Sequence, residues 1–450
     1  MRGVAVTMRR LAARTPATRD RSIDLMRALA IGLVVLGHWF VIAITYRDGE
    51  LSGDNALHVL DWLHPFTWLF QVMPIFFLVG GYVSSASFAS HRASGGDSVG
   101  WVLRRTDRLL RPTTALLVVL PMATVVAVAL GADKELLGTA AWLASVPLWF
   151  LLAYLAMVVL TPALHSLHQR AGLAAPVAMV VLVGVADLFR LVLDVPYVGE
   201  TSYLFGWLAV YQLGFCWRDG QLPTGRRAAL ALTAGGLTAL IALTAGPYGT
   251  SMVIHNANPP TLALMALAAT QVGLALAVRP AANRWLRRPG PWTAVVAVNA
   301  VILTVFLWHM TAAAIAAALL FPTGVMAQPP LNSGTWLLWR VPWLASCAVV
   351  LAILVAVFAP IEMRRPVGRV PDRSVRRDGL TVLGMAAALA GLLGVALSDS
   401  NYHGITGLPW GAVTSYLCGA AVLRLARAQP RRSSHTALPS DAYISSTRSP

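Results

Sequence analysis

The chain has 450 residues, 57% of them apolar and 12% charged, where an ordinary soluble domain has about 25% charged residues. That balance, with a mean hydropathy of +0.66, excludes a soluble enzyme, a coiled coil and a disordered scaffold. A formal net charge of +16 in such a chain points to arginines in cytoplasmic loops and not to nucleic acid.

A bilayer-crossing helix needs ~20 mostly apolar residues. The composition therefore predicts an all-α fold: a polytopic transmembrane helix bundle of about 12 spans. Residues 1–26 form a basic, cytoplasmic N-terminal segment carrying Arg2, Arg9, Arg10, Arg14, Arg19 and Arg21. The apolar run from Ala28 to Tyr46 is too long for a signal-peptide core and is read as a retained first helix. Further spans centre on 66–90, 113–131, 141–162, 173–193, 200–217, 228–246, 261–278, 293–320, 336–360, 380–397 and 408–423. The segments 200–217 and 408–423 are short and are interrupted by glycine or bounded by proline.

The loops set the orientation. Alternate loops are basic: 91–112 holds five arginines, and 218–227, 279–292 and 361–379 hold further groups. The opposite loops carry Asp48, Glu50, Asp54 and Asp61, with almost no basic residues beyond Arg47 and Lys134. Such alternation predicts a multi-pass plasma-membrane protein with both termini cytoplasmic. The membrane core is assigned to 27–360, a basic cytoplasmic loop to 361–379, an additional helix pair to 380–424 and a disordered tail to 425–450. Cys216, Cys347 and Cys418 are too scattered for a disulfide framework or a zinc site and are read as packing residues; no metal is called for.

An ionisable residue within a membrane helix is costly and so a functional candidate by default. His38 lies inside the first span and Arg27 eleven residues earlier, close to three full turns. Both fall on one stripe, ~16 Å apart along the axis, and Asp24 joins it one turn earlier. A surface cation aligned with a deep imidazole suits a ligand with an anionic head and a long reactive arm, the shape of a coenzyme A thioester. Taken singly, Arg27 also reads as a topology-setting arginine and His38 as a packing donor between helices.

The second helix reads Met73-Pro74-Ile75-Phe76-Phe77-Leu78-Val79-Gly80-Gly81-Tyr82, either a kinked packing helix or a channel wall. Arg104, Arg105, Arg108 and Arg111 recur at three- and four-residue spacing, which fits a polyphosphate clamp or contacts to anionic lipid headgroups. His309 lies deep in the ninth span, with Asn299 lower on the same helix. Asp187 and Arg190, three apart, neutralise each other as a structural pair. Trp149 sits near an interface. His165, His168 and His255 are assigned to solvated loops.

The stretch Ile23-Asp24-Leu25-Met26-Arg27 to Leu36-Gly37-His38 resembles a signature of the acyltransferase-3 family of integral membrane acyltransferases. So do Phe76-Phe77-Leu78-Val79-Gly80-Gly81-Tyr82 and Arg104-Arg105 through Arg108-Leu109-Leu110-Arg111-Pro112. Leu148-Trp149-Phe150-Leu151 and Leu307-Trp308-His309 are similar to its later signatures. The resemblance covers roughly residues 21–360, and the helix pair after it is an addition. The family's second-helix signature usually ends Ser-Gly-Tyr or Ser-Gly-Phe, whereas this chain has Gly80-Gly81-Tyr82, so no serine role transfers.

The resemblance implies transfer of an acyl group, often acetyl, from cytoplasmic acyl-CoA as co-substrate to a hydroxyl of an envelope glycan, a lipid or a secondary metabolite. It points to His38 and Arg27 as essential, with Asp24 orienting Arg27 and Arg104, Arg105, Arg108 and Arg111 contacting the donor. Tyr82, Trp149 and His309 are candidate substrate contacts. A 12-span secondary transporter is the rival reading, against which stands the absence of a half-to-half repeat.

Overall fold

The computed structural model describes residues 2–16, 19–48, 50–364, 373–398 and 408–428. An arginine-bearing helix α1 (Arg2–Ala13) precedes α2 (Arg21–Val41). Helix α2 starts where the Asp20 carboxylate accepts the Ser22 amide, and Asp24 in its first turn favours the positive end of the helix dipole. Its buried stripe includes Asp24, Ile31, Val35 and Trp39, while Leu29 and Leu36 face outwards.

The sequence carries the first span on to Tyr46, but the helix stops at Val41. Ile42–Arg47 forms β1, paired antiparallel with β2 (Glu50–Asn55) from Ile42↔Asn55 to Arg47↔Glu50. The β-branched run Ile42, Ile44 and Thr45 favours the strand. Arg340 fixes the stop by donating to the Ile42 carbonyl at 2.7 Å. This hairpin is the only sheet among the described residues, so the all-α reading stands.

The chain continues through α3 (Thr67–Phe70), α4 (Met73–Ala93), α5 (Ser98–Ala129), α6 (Lys134–Ser145) and α7 (Pro147–Ala171). Then come α8 (Ala174–Leu191), α9 (Ser202–Arg218), α10 (Arg226–Thr244), α11 (Leu262–Trp285) and α12 (Pro289–Ala300). The last are α13 (Ile302–Leu320), α14 (Gly334–Met363), α15 (Val375–Ala396) and α16 (Trp410–Arg427). Among the described residues, ten helical segments are long and apolar enough to cross a membrane, and α9 and α16 are not among them. Helix α2 packs on α4, α11, α12, α13 and α14, which puts it inside the bundle.

Three further readings change. The arginine segment taken as a loop is the start of α5, because Asp97 caps Ser98 onwards by accepting the Gly100 amide at 2.8 Å. The span expected over 293–320 breaks at Val301 into α12 and α13. His165 and His168 are not in a solvated loop: α7 continues to Ala171, and His168 is buried with Nε2 2.9 Å from Asp219. Asp187 and Arg190 do pair, at 3.3 Å. The tail expected to be disordered overlaps the end of α16 at 425–427, and from 429 it lies outside the described residues, as do 365–372 of the basic loop.

The C-terminal pair clasps α5. Helices α15 and α16 meet closely: a Cβ on Gly391 would stand 2.4 Å from the Tyr416 nitrogen, and one on Gly419 2.5 Å from that of Ala388, the small-residue contact typical of membrane helices. Arg377, 1% exposed, bridges Asp97 at 2.7 Å and Asp378 at 2.6 Å. Arg427 pairs with Asp107 at 2.9 Å and also donates to the Leu103 carbonyl. Tyr416 donates to the Leu110 carbonyl at 3.2 Å.

Burial pushes the Asp97 carboxyl up, but the Arg377 guanidinium and the Gly100 amide more than offset it and hold it below the usual carboxylate range. A depressed carboxylate stabilises the fold above its unfolded pKa of about 4, and that contribution is lost as pH falls through the lower folded value. Removing Asp97 leaves Arg377 paired with Asp378 alone and takes away a helix cap, a loss of about 1–3 kcal/mol. Asp97→Ala should therefore lower the thermal midpoint of the detergent-solubilised protein clearly at pH 7. The difference from wild type should shrink only below about pH 4.

Candidate functional site

The stripe of α2 leads to two polar clusters. At its upper end, His38 Nδ1 lies 2.8 Å from His309 Nε2 on α13, the rings stacked with centroids 5.1 Å apart. His309 is fully buried, whereas His38 is half-buried. The other nitrogen of His309, Nδ1, meets the Phe306 carbonyl. A carbonyl can only accept, so His309 Nδ1 carries the proton. In neutral imidazole its Nε2 is then an acceptor. His38 Nδ1 must therefore donate, which leaves a bare lone pair on His38 Nε2. Two rings and one carbonyl thus fix the tautomer of the more accessible histidine.

The surrounding indoles hold this geometry. Trp39 Nε1 donates to the His309 carbonyl at 2.8 Å, and Trp343 Nε1 donates to the Trp39 carbonyl at 2.8 Å. Phe306 packs 5.7 Å from His309 and 5.1 Å from Phe150, which contacts Phe76 and Tyr154. Trp149 is half-buried and stands one ring further out, 6.4 Å from Phe150.

The lower cluster surrounds Arg27. Its Nε donates to Asn299 Oδ1 at 2.6 Å, and Nη2 is 3.5 Å from Asp24. Asp24 is held more closely by Arg19, through two bonds of 2.8 Å. Asn299 also donates to the Asp24 carbonyl at 2.9 Å, so this amide, placed by the end of α12, does most to orient Arg27. The break after it is capped: Glu362 on α14 accepts the Leu303 and Thr304 amides at 3.2 and 2.7 Å, closing the N-terminus of α13.

The four arginines of α5 separate into two kinds. Arg104 is exposed and bonds to His91. Arg111 is committed to Asp107 and to the Arg364 carbonyl. Arg105 and Arg108 have no carboxylate at ion-pair distance among the described residues, and both lie within electrostatic range of Arg27. Three guanidiniums thus converge where one nearby carboxylate, Asp24, is shared with Arg19 and another, Glu362, is spent on a helix end. Positive charge there exceeds negative charge among the described residues, an arrangement chemically able to hold an anion.

Tyr82 is not brought to His38. It packs 5.1 Å from Trp217 and lies within electrostatic range of Asp20 and Arg279. Asp20 precedes His38 by eighteen residues, ~27 Å of helix, so Tyr82 belongs to the opposite end of the bundle. Tyr154, which sequence reasoning passed over, instead stands within electrostatic range of Arg27. An aromatic residue in an apolar run carries no signal of its own. One signal was available in the glycine beside it: a Cβ on Gly80 would stand 2.7 Å from Tyr154 Cε2, and one on Gly81 1.9 Å from the Tyr211 oxygen. Gly80 is bare because the Tyr154 ring fills that space.

The family model described as an acyltransferase domain, that of the acyltransferase-3 family, matches residues 20–359. No curated protein and no solved structure matches the chain. The matched region is about three quarters of the chain, and it contains both clusters and ends before α15. The chain belongs to the acyltransferase-3 family.

The ring of Tyr154 is wedged against Phe76 and Phe150 and cannot yield, so overpacking at Gly80 should cost about 1–3 kcal/mol. Gly80→Ala should lower the thermal midpoint. Adding Tyr154→Leu should recover much of the loss, a coupling that a double-mutant cycle measures.

Proposed function

We propose that this membrane acyltransferase moves an acyl group, acetyl being the simplest, from acyl-CoA to a hydroxyl of an envelope glycan, a lipid or a secondary metabolite. The observation that carries the reading is the lone pair on His38 Nε2, on the same helix as Arg27, with Arg105 and Arg108 of α5 within electrostatic range of that guanidinium. Arg27, Arg105 and Arg108 hold the donor's phosphates. The pantetheine arm spans the ~16 Å between Arg27 and His38 and delivers the thioester to the imidazole.

His38 acts as general base. Nε2 takes the proton from the acceptor hydroxyl as its oxygen attacks the thioester carbonyl. The C–S bond breaks, the ester forms, and the proton passes from His38 to the departing thiolate, giving CoA–SH. Such a base contributes about 10²–10⁴-fold. His309 touches His38 and not the substrate in this scheme: it keeps Nε2 unprotonated by accepting from Nδ1. The enclosing aromatic rings limit access of water to the thioester. In this scheme Arg104 and Arg111 keep structural tasks, and Tyr82 meets the nucleotide end of the donor. Family membership favours this reading over a secondary transporter.

His38→Ala should cut transfer from labelled acetyl-CoA in membranes by about 10²-fold or more, and activity equal to wild type would overturn the assignment. His309→Ala should lower kcat with little change in the donor KM, because it alters the tautomer and not the anion site. Arg27→Ala and Arg105→Ala should raise the donor KM more than the acceptor KM. Mass spectrometry of glycans, lipids and secreted metabolites with and without the protein identifies the acceptor by its missing acyl mass.

A further inference from the structure

Helix α1 lies along α12, and between them runs an open cleft of about 1170 Å³ lined by Arg9, Arg21 and Arg287 together with Ala12, Ala294 and Ala297. None of its lining residues is acidic. Arg9 and Arg287 have no hydrogen-bond or ion-pair partner among the described residues. Arg21 donates to the Leu286 carbonyl at 2.6 Å and lies over the Trp292 ring at 4.9 Å, which leaves part of its donor fork free. Ala12 and Trp292 of its lining belong to a small apolar cluster with Leu286 and Val295, separate from the main core. A cavity with cations at one part and small apolar walls elsewhere matches a ligand that is itself anionic at one end and apolar at the other.

This cavity is distinct from the Arg27 cluster. Arg21 and Arg27 are six residues apart, which turns their side chains about 120° from each other around α2. Helix α12 presents Asn299 to Arg27, whereas Ala294 and Ala297 line the cavity. The mouth is open, and Val298 beside it faces outwards. An arginine-rich amphipathic helix flanking the first span is also the element that lies at a headgroup surface.

We propose that the α1–α12 cavity is a binding site for one anionic phospholipid, its phosphate held by Arg9, Arg21 and Arg287 and an acyl chain lying along Ala294 and Ala297. The proposal is independent of the acyl-transfer reading.

The test uses the full-length protein purified in detergent and titrated with phosphatidylglycerol, binding being read by native mass spectrometry. Phosphatidylcholine, inorganic phosphate and CoA serve as comparison probes. Each arginine at an anionic lipid surface contributes about fivefold, so the double variant Arg9→Ala/Arg287→Ala should bind phosphatidylglycerol about thirtyfold more weakly. Ala294→Trp, which keeps the charges and fills the apolar wall, should also weaken it. Phosphatidylcholine should bind far less, inorganic phosphate should not compete at lipid-equivalent concentration, and both variants should unfold at the wild-type temperature. The proposal is overturned if either variant, melting as wild type, binds phosphatidylglycerol equally well. It is equally overturned if inorganic phosphate competes as a free anion, or if CoA displaces the lipid and so claims the cavity for the donor.

Discussion

Hydrocarbon offers no hydrogen-bond partner, so every polar group the chain carries into the bilayer must be met from within the chain. Most of the tertiary structure around the site is the solution to that constraint. His38 meets His309, and His309 meets the Phe306 carbonyl three residues earlier on its own helix. The Trp39 and Trp343 indoles take up backbone carbonyls of neighbouring helices. Arg340 closes the end of α2 and Glu362 closes the start of α13. Apart from the His309–Phe306 contact within α13, these contacts join different helices, so satisfying the backbone and assembling the bundle are one process.

Against that background the groups left unsatisfied stand out. Asp107 has Arg111 and Arg427, and Asp97 has Arg377. Arg105 and Arg108, on the same helix as both carboxylates, have neither. Like charges one turn apart repel, so α5 carries a local cost where Arg105 and Arg108 stand. The C-terminal helix pair, outside the family match, grips the opposite side of that segment through Arg377, Arg427 and Tyr416. Local rules are broken at Arg105 and Arg108, and the fold supplies compensation next door.

The break at Val301 has the same logic. An unbroken helix over 289–320 would occupy its own amides and offer no end for Glu362. As two helices, α12 ends by placing Asn299 between the Asp24 carbonyl and the Arg27 guanidinium, and α13 begins on a carboxylate from α14. The segment that carries His309 is thereby fixed at its base. A histidine pair held across two helices needs such support, because a shift of about 1 Å in either is enough to lose the hydrogen bond that sets the tautomer.

How much was legible follows from the range of each signal. Apolar runs and arginine counts gave the helical membrane bundle, and eleven-residue spacing put Arg27 and His38 on one stripe, because helical periodicity is local. The same locality misplaced the end of α2, which an arginine three hundred residues away caps, and hid the helix under the α5 arginines. Nothing in the order of residues pairs His38 with His309, hands Asn299 to Arg27, divides the four arginines two and two, sends Tyr82 to the far end or fills the space beside Gly80 with Tyr154. Those were decided by helix packing, since a side chain in the bilayer takes its role from whichever neighbour packing brings within hydrogen-bond reach.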